Sequence, residues 1–199
     1  LARAVRDEPA LAAPGVSAIV AASGVMFLRM AVVVALLQPD LALRLGGFLS
    51  LLGGACFGMA WGLWRRRPSP QPGSLDAQAK LFGLPTALGF GVALALVAIA
   101  SQAARAHLGD AGLYGVAFIA GLADVDAILI SSVQMHAQGH LAAGATAAAM
   151  LIAALSNMVM KASMAWAIAG RRVGLQVSAG YLAALSAGAA IGALVVVVA

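Results

Sequence analysis

Long apolar runs alternate with short polar or basic connections along the whole chain, and each run is about the length of a bilayer crossing. A spanning helix needs about 20 residues at 1.5 Å rise to cross a roughly 30 Å hydrocarbon core. Six stretches meet that requirement, at about 15–37, 45–64, 85–106, 111–133, 142–168 and 175–198. Strands are not expected, because open sheet edges cannot be satisfied in lipid and the runs are too long and unalternating for a barrel. The pattern predicts an all-α integral membrane protein of about six transmembrane helices. Residues 1–14 read as a linker or interfacial segment and 15–199 as one transmembrane domain. Its longest connection, at 65–84, carries Arg65, Arg66 and Arg67 and then Pro68, Pro70 and Pro72, which cannot continue a helix.

Composition agrees with that reading: 63% hydrophobic, 10% charged and a mean hydropathy of +0.99 lie far outside the range of soluble domains. A net charge of +5 would suit nucleic acid, but the basic residues sit in short clusters between apolar runs, where they set topology, and no nucleic-acid partner is expected. Six flank one side (Arg3, Arg6, Arg65, Arg66, Arg67, Lys80) and four the other (Arg44, Arg105, Arg171, Arg172), which places both termini in the cytoplasm. The single cysteine, Cys56, lies inside an apolar run and excludes an internal disulfide. Leu1 to Pro14 has no apolar signal core and no initial Met, so the chain reads as a fragment or a processed product.

Four charges fall inside the predicted spans and sum to zero: Arg29, Asp124, Asp126 and Lys161. An Asp at the centre of a membrane helix costs about 2.5 to 3.5 kcal/mol on insertion scales, so such residues face protein or water and are candidates for function. Asp124 and Asp126 are two apart, about 200° around a continuous helix, and cannot address one site from it. The Asp124 face carries Ala117, Ala120, Gly121, Ala127 and Ser131, a surface for close packing. The Asp126 face carries Ile119, Leu122, Leu129, Ile130 and Val133, which reads as lipid contact. Either the helix is discontinuous between Gly121 and Asp126, or Asp126 meets another helix or subunit.

Asn157 and Lys161 share a face of the fifth span with Ser156 adjacent, as a ligand or orienting set or as helix-to-helix hydrogen bonding. His136 and His140, four apart, have metal-ligand spacing but lack a nearby Cys or carboxylate and read as a solvated loop. Gly54-x3-Gly58-x3-Gly62 and Gly188-x3-Gly192 are small-residue ridges, read first as packing inside the chain and second as a homodimer surface. A weak similarity pairs the first span with the fifth, Ile19-Val20-Ala21-Ala22 against Leu151-Ile152-Ala153-Ala154, and suggests a parallel repeat. No phosphate-binding glycine loop or nucleophile elbow is present, and an enzyme is not expected.

The sequences Gly112-Leu113-Tyr114, Gly121-Leu122-Ala123-Asp124-Val125-Asp126-Ala127, Ala153-Ala154-Leu155-Ser156-Asn157 with Lys161, and Ala21-Ala22-Ser23-Gly24-Val25-Met26 with Arg29 resemble a known membrane domain. It is the uncharacterised domain that follows an MgtC/SapB-type domain in many bacterial and archaeal inner-membrane proteins. The resemblance covers nearly the whole chain, and the Asp-containing heptad is its most specific part. Before the third span the sequence departs from the pattern, with Lys80-Leu81-Phe82-Gly83-Leu84-Pro85 where an Asn-Pro-Phe-like segment is expected. The resemblance implies a prokaryotic inner-membrane location, an N-terminal MgtC/SapB-type domain missing from this chain, and a loose link to magnesium physiology.

Together these features favour a transporter or channel-like module for a small ion such as Mg2+ or H+. Asp124 and Asp126 would bind the ion or carry protons with Asn157 and Ser156 beside them, and Arg29 and Lys161 would balance the charge. No cofactor is expected beyond a bound cation, for which hard carboxylate oxygens at Asp124 and Asp126 are the metal ligands. The two cations equally permit an anionic substrate with the Asp residues as proton relay. The alternative is a non-transporting scaffold or regulatory module that assembles through its Gly/Ala faces; an intramembrane enzyme has the least support.

Overall fold

The computed structural model describes residues 12–65 and 84–198, and all its secondary structure is helical. Six helices follow in order: α1 (Ala12–Leu37), α2 (Pro39–Arg65), α3 (Leu84–Ala123), α4 (Asp126–Ala137), α5 (Ala143–Ala169) and α6 (Arg171–Val198). Five stretches among the described residues are long and apolar enough to cross a membrane: Gly15–Leu37, Pro39–Arg65, Ala106–Ala123, Ala143–Ala167 and Arg171–Ala190. The protein is therefore an all-α membrane protein. The proline-rich connection and the leader, apart from their edges, lie outside the described residues.

Local chemistry explains the helix limits. Pro39 sits at the first position of α2, where its missing N–H costs no helical bond, and Asp40 in the first turn opposes the positive end of the helix dipole. At the far end of α2, the Arg65 guanidinium lies 5.1 Å from the Trp61 ring centre. Within α3 the backbone leaves helical geometry at Gly109, with φ 64° and ψ −149°, a conformation that glycine alone adopts without strain. A side chain at Gly112 would run into the Ala104 carbonyl and Leu108, so the chain doubles back closely there. The boundary expected between the third and fourth spans is thus present as a sharp turn at Gly109. Helix α4 ends in a Schellman turn, in which Gly139 N–H donates to His136 O at 2.9 Å and His140 N–H to Met135 O at 2.9 Å; Gly139 supplies the left-handed residue, φ 74°.

The chain divides into two compact units. One contains α1, α2, α6 and α5 from Ala154 onward; the other contains α3, α4 and α5 up to Ala153. In the first unit, α1 buries Val16, Val20, Ser23, Phe27, Met30 and Val34, a stripe alternating steps of four and three that forms one packing seam. It meets α2 at small residues. A Cβ on Gly24 would lie 3.1 Å from Gly53 O, and a Cβ on Gly53 would lie 3.2 Å from Gly24 O, so the two backbones approach as closely as two glycines permit. Gly188 of α6 instead leaves room for the Leu52 side chain of α2.

The glycine ridge Gly54, Gly58, Gly62 has nothing within 4 Å of an added Cβ. The packing glycine of α2 is Gly53, one residue out of register with that ridge. Gly188 packs against α2, and the surroundings of Gly192 lie outside the described residues.

Candidate functional site

The apolar stretch that carries the two carboxylates is interrupted between them. Asp124 N–H donates to Ala120 O at 2.8 Å and closes the last turn of α3, and helical bonding resumes with Leu129 N–H to Val125 O at 3.0 Å. Val125 is fully buried, keeps φ −82° and ψ −28°, and offers no side-chain cap to α4. A helix start leaves its first N–H groups without intrahelical partners and carries the positive end of the dipole, which favours carboxylates nearby. Asp124 and Asp126 bracket that start, so the break stabilises charges that an uninterrupted apolar helix would disfavour. Both are half-buried. Oδ1 of Asp126 is shielded from solvent with no hydrogen bond to that atom, although the residue interacts elsewhere.

The break also resets which residues face inward. On the α3 side Ile119 is 70% exposed, whereas in α4 Leu129 and Val133 are buried. The lipid-facing stripe expected from a continuous helix therefore changes character at the interruption: Ile119 is exposed, Leu122 and Ile130 are half-buried, and Leu129 and Val133 are core. Helix α4 is enclosed on most sides, burying Ala127, Ile128, Leu129, Ser131, Ser132, Val133 and Met135. The Ser132 hydroxyl donates to Ile128 O at 2.7 Å, while the Ser131 hydroxyl is buried with no hydrogen bond. The polar character of α4 at Ser132 was not singled out by the sequence, where a Ser-Ser pair in an apolar run carries little signal.

The remaining candidates belong to the other unit. Ser156 and Asn157 are buried on α5, Lys161 is half-buried one turn further on, and Arg29 is exposed on α1. Lys161 lies within electrostatic range of Cys56 on α2. Two polar features of this unit escaped the sequence reading. Ser23 Oγ and Tyr181 Oη share a 2.9 Å hydrogen bond, and Ser17 Oγ donates to Ala60 O at 3.0 Å. Ser23 stands in the seam of α1, and that position was the available signal.

His136 does not pair with His140. Its Nδ1 is 2.8 Å from Leu141 O and ties the loop after α4, while His140 is exposed. Among the described residues no group of three or more His, Cys, Asp or Glu side chains gathers as a metal site would.

These features define a class, a helical membrane protein with an acid-flanked interrupted helix. The chain belongs to the family described as "Domain of unknown function (DUF4010)", whose pattern matches residues 1–169. It is 30% identical over 84 residues to an uncharacterized protein of Aquifex aeolicus (strain VF5), a match covering 42% of this chain and 36% of that protein. The chain thus matches little more than a third of the length of this relative. No solved structure matches.

Proposed function

We propose that this chain is a transporter or channel-like module for a small ion, built around Asp124 and Asp126. The observation that carries the reading is the interruption of a membrane helix between these two carboxylates. Ionisable residues and broken helices inside membrane segments are the recurrent material of ion and proton pathways. In this reading the carboxylates take a cation, Mg2+ or H+. Two carboxylates with waters suit a hard cation, and no resident cofactor is needed. The basic flanks of α1 and α2 face the cytoplasm in a prokaryotic inner membrane. The chain's motif resemblance makes an MgtC/SapB-type domain the proposed partner of this one.

Reconstituted flux tests the proposal. Proteoliposomes carrying the wild-type chain are expected to move a cation or protons, and Asp124→Asn and Asp126→Asn to bring flux to the level of empty liposomes. Equal flux from wild type and both variants removes these residues from the pathway, and no flux of any cation, anion or proton by wild type removes the transport reading. A second reading, a non-transporting scaffold, is favoured by the open Gly54, Gly58, Gly62 face, which a homodimer partner would cover.

A further inference from the structure

The first unit fixes the relative direction of its helices. Ser17 meets Ala60 and Gly24 meets Gly53, so α1 and α2 are antiparallel. Gly180 approaches Met59 and Gly188 approaches Leu52, so α2 and α6 are antiparallel as well. Trp166 packs on Gly174 and its Nε1 donates to Ser178 Oγ at 3.2 Å, so the chain folds back at Gly170, and two consecutive spanning helices joined there run in opposite directions across the bilayer. It follows that α6 runs in the same direction as α1. The end of α2, the end of α5 and the start of α6 then share the membrane side from which α1 sets out. Since α5 is continuous from Ala143 to Ala169 and long enough to span, its start lies on the opposite side.

From these directions we infer that the chain between α2 and α5 crosses the membrane an odd number of times, and that residues 110–137 form a re-entrant hairpin with Asp124, Val125 and Asp126 at its tip. Six full crossings would make α6 parallel to α2, and it is not. The lengths single out the segment that fails to cross. Leu84 to Leu108 is helical for about 37 Å, enough for a roughly 30 Å core. After the reversal at Gly109, the helix to Ala123 is only about 21 Å long and α4, with 12 residues, about 18 Å. Each is too short to span alone, and the interruption lies between them. The apolar stretch Ala106–Ala123 includes the Gly109 turn, so its helix beyond that turn is shorter than the stretch itself.

The charge distribution, which played no part in the packing argument, supports the same topology. With six crossings the basic residues divide six against four. With α5 ending and α6 starting on the side of α1's start, Arg171 and Arg172 join Arg3, Arg6, Arg65, Arg66, Arg67 and Lys80, leaving Arg44 and Arg105 opposite. That is eight against two, a far stronger bias of the kind that orients membrane proteins. The hairpin then opens toward the poorly basic side, with the His136 to His140 loop at its mouth, and α6 ends on that side instead of returning to the cytoplasm. This topology stands whether or not the protein transports an ion.

Side-specific labelling tests it. In the full chain carrying Cys56→Ala, single cysteines are placed at exposed positions: Asp40→Cys and Arg65→Cys as side markers, then Gln138→Cys, His140→Cys, Arg171→Cys and Arg172→Cys. A membrane-impermeant sulfonated maleimide is applied to right-side-out and to inverted vesicles. Gln138→Cys and His140→Cys are expected to react from the side that labels Asp40→Cys, and Arg171→Cys and Arg172→Cys from the side that labels Arg65→Cys. The re-entrant hairpin is overturned if either loop pair reacts with the opposite marker or equally from both sides. Two positions in each loop guard against one variant that does not assemble.

Discussion

The contacts among α1, α2 and α6 and the stretch from α3 into α4 use small and polar residues to opposite ends. In the first region, glycine brings backbones together and every named polar group finds a neighbour: Gly24 against Gly53, Ser23 with Tyr181, Ser17 with Ala60. In the second, glycine at 109 reverses the chain, the helical ladder stops at Asp124, and a buried hydroxyl at Ser131 has no hydrogen bond. Association of helices in lipid rests on close packing and interhelical hydrogen bonds, because burial of apolar surface supplies little there. The first region has both and behaves as a frame. The second gives up helical bonds where two carboxylates fall, a cost that the proposed ion pathway would account for.

If α1, α2 and α6 form the frame, the largest stability loss should come from separating their backbones. Gly24→Ile places a branched side chain where even a Cβ is 3.1 Å from Gly53 O and from the Phe57 ring. Because the obstacle is partly backbone, it cannot swing aside, and a loss of about 1–3 kcal/mol is expected from overpacking. Steric-trap unfolding in bicelles measures it. Gly54→Ala is the matched control, with open space around the added methyl, and should stay within about 0.5 kcal/mol of wild type. A large effect at Gly54 with none at Gly24 would reverse the assignment of the packing face.

A smaller change is expected at the polar contact between α1 and α6. Tyr181→Phe removes the hydroxyl that is 2.9 Å from Ser23 Oγ and leaves the ring in place. Interhelical hydrogen bonds in membranes are worth about 0.6 kcal/mol on average, since the separated helices find other partners. The same unfolding assay should register a loss of that size, and Ser23→Ala in the Tyr181→Phe background should add little more. Independent, additive losses would mean that the two hydroxyls do not bond to each other.

The sequence exposed some of this architecture and concealed the rest for identifiable reasons. The spans were visible because lipid demands about 20 apolar residues whatever the partners. The break was one of two readings left open by Asp124 and Asp126, which are two apart and cannot share a face of one helix; the other was a second neighbour for Asp126. Invisible was which glycine of α2 meets α1: Gly53 and Gly54 are adjacent, and the periodic ridge through Gly54, Gly58 and Gly62 pointed away from the true contact. Helix direction was also hidden. Hydropathy counts apolar residues but does not distinguish a crossing from two short helices that return, so Arg171 and Arg172 fell on the wrong side of the sequence-based tally if 110–137 is re-entrant. Ser131 was placed on a face with Asp124 by a rule that assumes an unbroken helix, and that rule lapses at Val125.

Ser131→Ala carries the smallest expected change and probes the contrast most sharply. A hydroxyl buried without a partner costs about 1–3 kcal/mol to desolvate and returns nothing, so its removal should leave stability unchanged or raise it slightly. Removing Tyr181's hydroxyl, in contrast, must cost something, although both groups are buried in membrane helices. Thermal unfolding of the detergent-solubilised protein, followed by fluorescence-detected size exclusion, ranks the two variants directly. A destabilised Ser131→Ala would mean that this hydroxyl has a polar partner in the folded protein. Its position on α4, five residues beyond Asp126, would then extend the polar path from the tip of the break into the enclosed helix, and Ser131→Ala should also slow any flux that Asp126→Asn abolishes.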